Sequence, residues 1–183
     1  MTPMAKAFCT EISNQVAYDS IQIHGGTGYM KDFNAERYYR DARITNIYEG
    51  TTQLQVVAAI GGVMQRTLDK SMDELSKLPY EGVLERMNHI IADMREKQKK
   101  AISFVAEKKD SSYYDLMARN LVEMEIIIYT GLLMLRDAAK NSKREMLVEK
   151  FIVDALPDFN AKYEKVMSAD YSTIDKHRDI IDY

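Results

Sequence analysis

Residues 40–55 read Arg40-Asp41-Ala42-Arg43-Ile44-Thr45-Asn46-Ile47-Tyr48-Glu49-Gly50-Thr51-Thr52-Gln53-Leu54-Gln55. The stretch sets one carboxylate, Glu49, on a short Gly-Thr-Thr turn that opens a helix. Gly50 has no Cβ to intrude on an approaching backbone. Thr51 and Thr52 are both competent N-caps, and Thr52 with Gln55 has the spacing of a capping box. A helix start carries unpaired N–H groups and a partial positive charge, which suit a phosphate or a developing oxyanion. A carboxylate base beside such a start can remove a proton next to a carbonyl. Taken alone, the pattern also fits an ordinary capped helix start.

Upstream, Gln22-Ile23-His24-Gly25-Gly26-Thr27-Gly28-Tyr29 follows a helical segment. Three glycines in four positions end a helix and let exposed N–H groups curl around an anion. A helix C-cap followed by a plain loop is the other reading. A dinucleotide-binding fingerprint is excluded, because no strand precedes these glycines and no helix opens from them in the required order.

The two motifs together resemble the end of the carboxy-terminal helical domain of the acyl-CoA dehydrogenase flavoprotein family. The helix Met4-Ala5-Lys6-Ala7-Phe8 through Asn14-Gln15-Val16-Ala17 leads into Gln22-x-x-Gly25-Gly26-x-Gly28-Tyr29. Glu36-Arg37-x-x-Arg40-Asp41-Ala42-Arg43-Ile44 then leads into Ile47-Tyr48-Glu49-Gly50-Thr51-x-Gln53. Order and spacing match over roughly the first third of the chain.

The resemblance implies that Glu49 is the base taking the α-proton of an acyl-CoA thioester, with Gly50 touching the substrate and Tyr48 near the thioester. It implies that Gln22, Ile23, His24, Gly25 and Gly26 contact the adenosine and pyrophosphate of FAD, typically in a neighbouring subunit. Thr51, Thr52 and Gln53 would form a second FAD contact. It further implies an electron-transfer flavoprotein as acceptor and a homo-oligomer, a dimer or a tetramer. In such enzymes burial raises the pKa of the base, and hydrogen bonds to the thioester oxygen stabilise the developing charge. The family's amino-terminal helical domain and middle β-domain, which holds much of the flavin ring, have no counterpart in these residues. The chain therefore reads as a fragment, expected to be colourless and inactive when isolated. The alternative is a non-catalytic helical oligomerisation or interaction module of the same descent.

Composition agrees with a globular helical protein. Of 183 residues, 46% are hydrophobic and 29% charged, ordinary for such a chain. A net charge of −3 disfavours a general nucleic-acid binder and the DNA-binding, damage-response branch of the family. Cys9 is the one cysteine, read as a small residue within the first helix, so no intrachain disulfide or thiolate metal cluster is available. The histidines at 24, 89 and 177 are too scattered for a metal site. No apolar run approaches a membrane span, and the start has no signal-peptide layout. The expected setting is the cytoplasm, with the mitochondrial matrix as the alternative.

Hydrophobic periodicity predicts an all-α chain, an antiparallel helix bundle in two parts. Residues 1–78 are the end of the dehydrogenase helical domain, and residues 79–183 a helical extension, resembling the family's longer subclass and read as structural and oligomerising. Thr2 and Pro3 look like the N-cap and first position of a helix carrying Ala5, Phe8, Ile12, Val16 and Ile23 on one apolar face. Residues 27–35 read as a loop and 36–46 as a short helix. The helix after Thr51 is expected to run toward Leu78, kinked at Gly61-Gly62. Three amphipathic helices follow, the last kinked or ended by Pro157. The 12 methionines read as core residues, and the lysines at 97, 99, 100, 108 and 109 as a solvated face. The tail from Ala169 reads as polar and ordered only where docked.

Overall fold

A computed structural model describes residues 1–181. Its elements, among the described residues, are all helical: α1 (Thr2–His24), α2 (Gly26–Tyr29), α3 (Ala35–Arg43), α4 (Thr52–Met64), α5 (Asp69–Ser76), α6 (Val83–Lys108), α7 (Ser111–Ala139), α8 (Glu145–Met167), α9 (Ser172–Asp175) and α10 (His177–Ile181). The chain divides into two compact units, residues 1–59 and 60–183.

In the first unit α1 packs on α3. The Asn14 side-chain amide ties the two, donating to the carbonyl of Ala42 at 2.9 Å and to Thr45 Oγ1 at 3.4 Å. Their buried contacts use small residues, Ala7 and Ala17 from α1 and Ala35 from α3. The expected apolar face of α1 lies elsewhere. Ile12, Val16 and Ile23 are exposed, Ile23 by 85%. Helix α1 starts at Thr2 with Met1 as its N-cap and Pro3 in its first turn, where the missing N–H costs nothing. The segment read as a loop contains one helical turn, α2, followed by an irregular 30–34.

The second unit is an up-down-up bundle of α6, α7 and α8, every pair in contact. The linkers are two residues (109–110) and a five-residue 3-10 connection (140–144), so successive helices run antiparallel. Helices α6 and α8 are then parallel. Arg86 pairs with Glu149 and Lys97 bonds Asn160, both sixty-three positions apart. The core is built of Met87, Ile91, Met94, Leu121, Ile128, Leu132, Leu135, Ile152 and Phe159. Five methionines, Met72, Met87, Met94, Met117 and Met124, are buried there. Asp110 N-caps α7, accepting from the backbone N–H groups of Ser112 at 2.8 Å and Tyr113 at 3.3 Å.

Three local readings differ from the sequence expectation. The helix after Thr51 does not reach Leu78 and does not break at Gly61-Gly62. It ends in a Schellman cap: Thr67 N–H bonds the Gly62 carbonyl, Arg66 N–H bonds the Val63 carbonyl, and Arg66 takes φ 55°. An arginine fills the left-handed slot usually given to glycine. The following helix, α5, packs on α7 through Met72 and Leu75, so residues 60–78, expected in the first part, group with the bundle. Helix α8 runs through Pro157. Val153 and Pro157 are both exposed, so the proline ring lies on the outer side of the helix, where its missing N–H breaks no core contact.

Candidate functional site: the Glu49 turn and the Gly25–Gly26 bend

Both motifs lie in the first unit. After α3 a 3-10 turn, Ile44–Asn46, is closed by Ile47 N–H and Tyr48 N–H on the Ile44 carbonyl. Two left-handed residues follow, Glu49 at φ 53° and Gly50 at φ 93°. A glutamate in this region costs about 1–2 kcal/mol and persists only when its surroundings impose it. Two side chains do so. Gln55 Nε2 donates to the Glu49 carbonyl at 3.0 Å and the Gly50 carbonyl at 3.4 Å. Lys6 Nζ, from α1, donates to the Gly50 carbonyl at 2.8 Å and sits 5.6 Å from the Tyr48 ring centroid. Both backbone carbonyls of the turn are thereby pinned, and the Glu49 side chain is exposed.

Thr51 is the residue that caps α4, its Oγ1 accepting from Leu54 N–H at 3.5 Å. The capping box expected of Thr52 and Gln55 is replaced by the Gln55 reach to residues 49 and 50. Gly50 suits its φ of 93°, and a Cβ there would lie 3.0 Å from Gln55 Nε2, pressing on the amide that pins the turn. Sequence reading missed Lys6 and assigned Gln55 a different partner. Nothing in the local sequence spacing shows that a lysine 44 residues earlier reaches Gly50.

At the other motif α1 ends where Gly25 takes φ 63°, ψ −147°, a region open essentially to glycine alone. Gly25 N–H bonds the Gln22 carbonyl, and Gly28 N–H bonds the Gly25 carbonyl. Thr27 Oγ1 donates to the His24 carbonyl at 2.8 Å, and His24 packs on Phe33 with ring centroids 5.5 Å apart. The three glycines do different work. Gly28 is buried, and a Cβ there would stand 2.5 Å from the Cβ of His24. A Cβ at Gly26 meets nothing within 4 Å, so space beside that backbone is open. Gln22, Ile23, His24, Gly25 and Gly26 are all exposed.

A cleft of about 250 Å³ in this unit is lined by Glu11, Asn14, Gln15, Tyr18, Tyr39 and Asn46; neither residues 48–53 nor residues 22–26 line it. Among the described residues no three His, Cys, Asp or Glu side chains are placed to hold a metal ion. No helix there is long and apolar enough to cross a membrane. Cys9 is an exposed free thiol on α1.

Residues 1–64 match the family model for the acyl-CoA dehydrogenase C-terminal domain, and residues 65–170 match a second, acyl-CoA dehydrogenase C terminal. The chain belongs to the acyl-CoA dehydrogenase family. A caffeyl-CoA reductase–Etf complex subunit of Acetobacterium woodii is 44% identical over 63 residues, covering 34% of this chain and 17% of that protein. The mitochondrial short-chain specific acyl-CoA dehydrogenase of Rattus norvegicus is 47% identical over 62 residues, 34% of this chain and 15% of that enzyme. The matched region thus spans about a sixth of these relatives. In fold, the chain is similar to an acyl-CoA dehydrogenase of Bacillus anthracis solved in complex with FAD. The TM-score is 0.75 at 20% identity, over 91% of this chain and 32% of the other.

Proposed function

We propose that this chain supplies the catalytic-base turn and an FAD-contact bend of an acyl-CoA dehydrogenase, with Glu49 removing the α-proton of an acyl-CoA thioester. The observation that carries the reading is the strained Glu49 turn. A glutamate held at φ 53°, with its backbone pinned by Lys6 and Gln55, projects its carboxylate away from the chain's own hydrogen bonds. Strain of this kind concentrates at working positions.

The residues fit FAD. The bend at Gln22–Gly26 offers exposed backbone, and the open space at Gly26 admits a pyrophosphate closely. Thr51, Thr52 and Gln53 form the capped helix start that would meet a second part of the cofactor. When bound, FAD supplies the acceptor for the β-hydride. The chain's own residues do the rest. Glu49 takes the proton on a carboxylate oxygen, Gly50 lets the substrate approach, and Tyr48, steadied by Lys6, walls the thioester.

An electron-transfer flavoprotein is the proposed acceptor, in line with the named complex of the Acetobacterium relative. The apolar side chains left outside on α1 and α4 support assembly into a dimer or tetramer. The test joins this chain to the amino-terminal and middle domains of an acyl-CoA dehydrogenase and follows flavin bleaching by acyl-CoA. Glu49→Gln should keep the yellow flavin and slow bleaching by roughly 10²- to 10⁴-fold. Bleaching at the unsubstituted rate removes Glu49 from proton transfer. The chain by itself should purify colourless, which an absorbance spectrum checks.

A further inference from the structure

The chain beyond α8 turns back over the corner between α6 and α7. Ala169 takes φ 55° to make the reversal. Just ahead of α9 the Asp170 carboxylate accepts from Ser172 N–H at 2.8 Å and Ser172 Oγ at 2.9 Å. From Ser168 to Asp179 every side chain is exposed except Ala169, Tyr171 and Ile174. Tyr171 is the largest of these anchors. Its ring stacks on Tyr113, centroids 4.9 Å apart.

Lys108, in the last turn of α6, completes the arrangement. Its Nζ lies 4.7 Å from the Phe104 ring centroid, 5.0 Å from that of Tyr113 and 5.5 Å from that of Tyr171. Phe104 and Tyr113 belong to the bundle, while Tyr171 belongs to the returning chain. Tyr113 is fixed independently, fully buried with its hydroxyl donating to the Val166 carbonyl at 2.6 Å. One ammonium therefore faces two rings of the bundle and one of the tail. A cation shared among ring faces attracts all three, more strongly as it loses water.

We propose that residues 168–181 form a strap that Lys108 latches: the ammonium holds Tyr171 on the Phe104–Tyr113 surface, and removing that charge frees the strap while the bundle stays folded. Few apolar contacts hold the strap otherwise, which places it at the low end of local stability. Any chemistry that neutralises the Lys108 amine would act as the release.

The test is amide hydrogen exchange on the full chain, comparing peptides from 168–181 with peptides from 121–135 in the core of α7. Lys108→Met keeps the apolar stem and deletes the charge. It should speed exchange in the strap roughly tenfold and leave the α7 peptides unchanged. Lys108→Arg should restore slow exchange. Tyr171→Ala, which also removes the stack on Tyr113, should speed strap exchange at least as much as Lys108→Met, and adding Lys108→Met to Tyr171→Ala should change little, as expected of partners in one contact. Unchanged strap exchange in Lys108→Met overturns the latch. Equal acceleration of strap and α7 overturns it too, since the lysine would then support the whole bundle.

Discussion

The two units of this chain use their apolar residues in opposite ways. In the second, Met, Leu, Ile and Phe side chains interdigitate between three long helices, and Leu121, Met124, Ile128, Leu132, Leu135 and Phe159 are sealed from water. In the first, the buried positions are mostly alanines, while Ile12, Val16, Ile23, Leu54 and Val57 lie outside. Burying a leucine-sized side chain contributes about 1.5–3 kcal/mol, so the bundle holds most of the chain's cohesion. The first unit leaves several large apolar side chains exposed, and it also carries both candidate motifs. The packed core and the candidate site are thus housed apart.

That contrast can be broken most directly with a pair of truncations. Leu132→Ala empties a fully enclosed site and should cost about 2–5 kcal/mol. Val16→Ser, at a position 61% exposed, should stay within about 0.5 kcal/mol. Urea titration followed by circular dichroism measures both. A large loss from Val16→Ser would show that α1 is packed in solution.

A smaller effect probes Glu125, the one buried acid among the bundle's described residues. Glu125 is 4% exposed and accepts from Gln98 Nε2 at 2.5 Å. Burial pushes its pKa above the ordinary 4.5, opposed by the Gln98 hydrogen bond; Asp69 adds to the rise, and Arg95 and Arg66 oppose it. A raised folded-state pKa means the favourable contribution is complete below 4.5 and is lost as pH climbs through the raised value. Stability should therefore fall over that window, and Glu125→Gln should flatten the fall. An identical pH profile in the variant would place the dependence elsewhere.

The smallest effect lies where the helices divide. Arg66→Gly relieves the left-handed arginine at the end of α4 and forfeits the Arg66–Asp69 pair. A net gain of about 0.5 kcal/mol is expected. A net loss would assign the turn's geometry to the ion pair. Thermal unfolding at neutral pH resolves the sign.

Much of this was legible in the sequence because the signals are local. Gly25 ends α1 as read, because a backbone conformation at φ 63° needs no tertiary partner to select glycine. The three bundle helices follow from apolar spacing, while the cap that Asp110 puts on α7 emerged from the structure. Legibility failed where two local solutions compete. The Gly61-Gly62 pair suggested a break, yet Arg66 makes it, since packing of α5 on α7 compensates for a strained cap. Pro157 suggested a kink or an ending, yet α8 continues through it to Met167. At the site, the sequence reading reached Glu49, Gly50 and the threonines but not Lys6, whose bond to Gly50 joins residues 44 apart.

The order of residues by itself determined the helices, the family and the composition of the two motifs, because periodicity, caps and glycine φ are properties of a few neighbouring positions. Only the tertiary structure decided which apolar faces are buried, how the Glu49 turn is held, and where the tail docks. Those outcomes depend on side chains far apart in the chain meeting at contact distance, where desolvation and packing are settled.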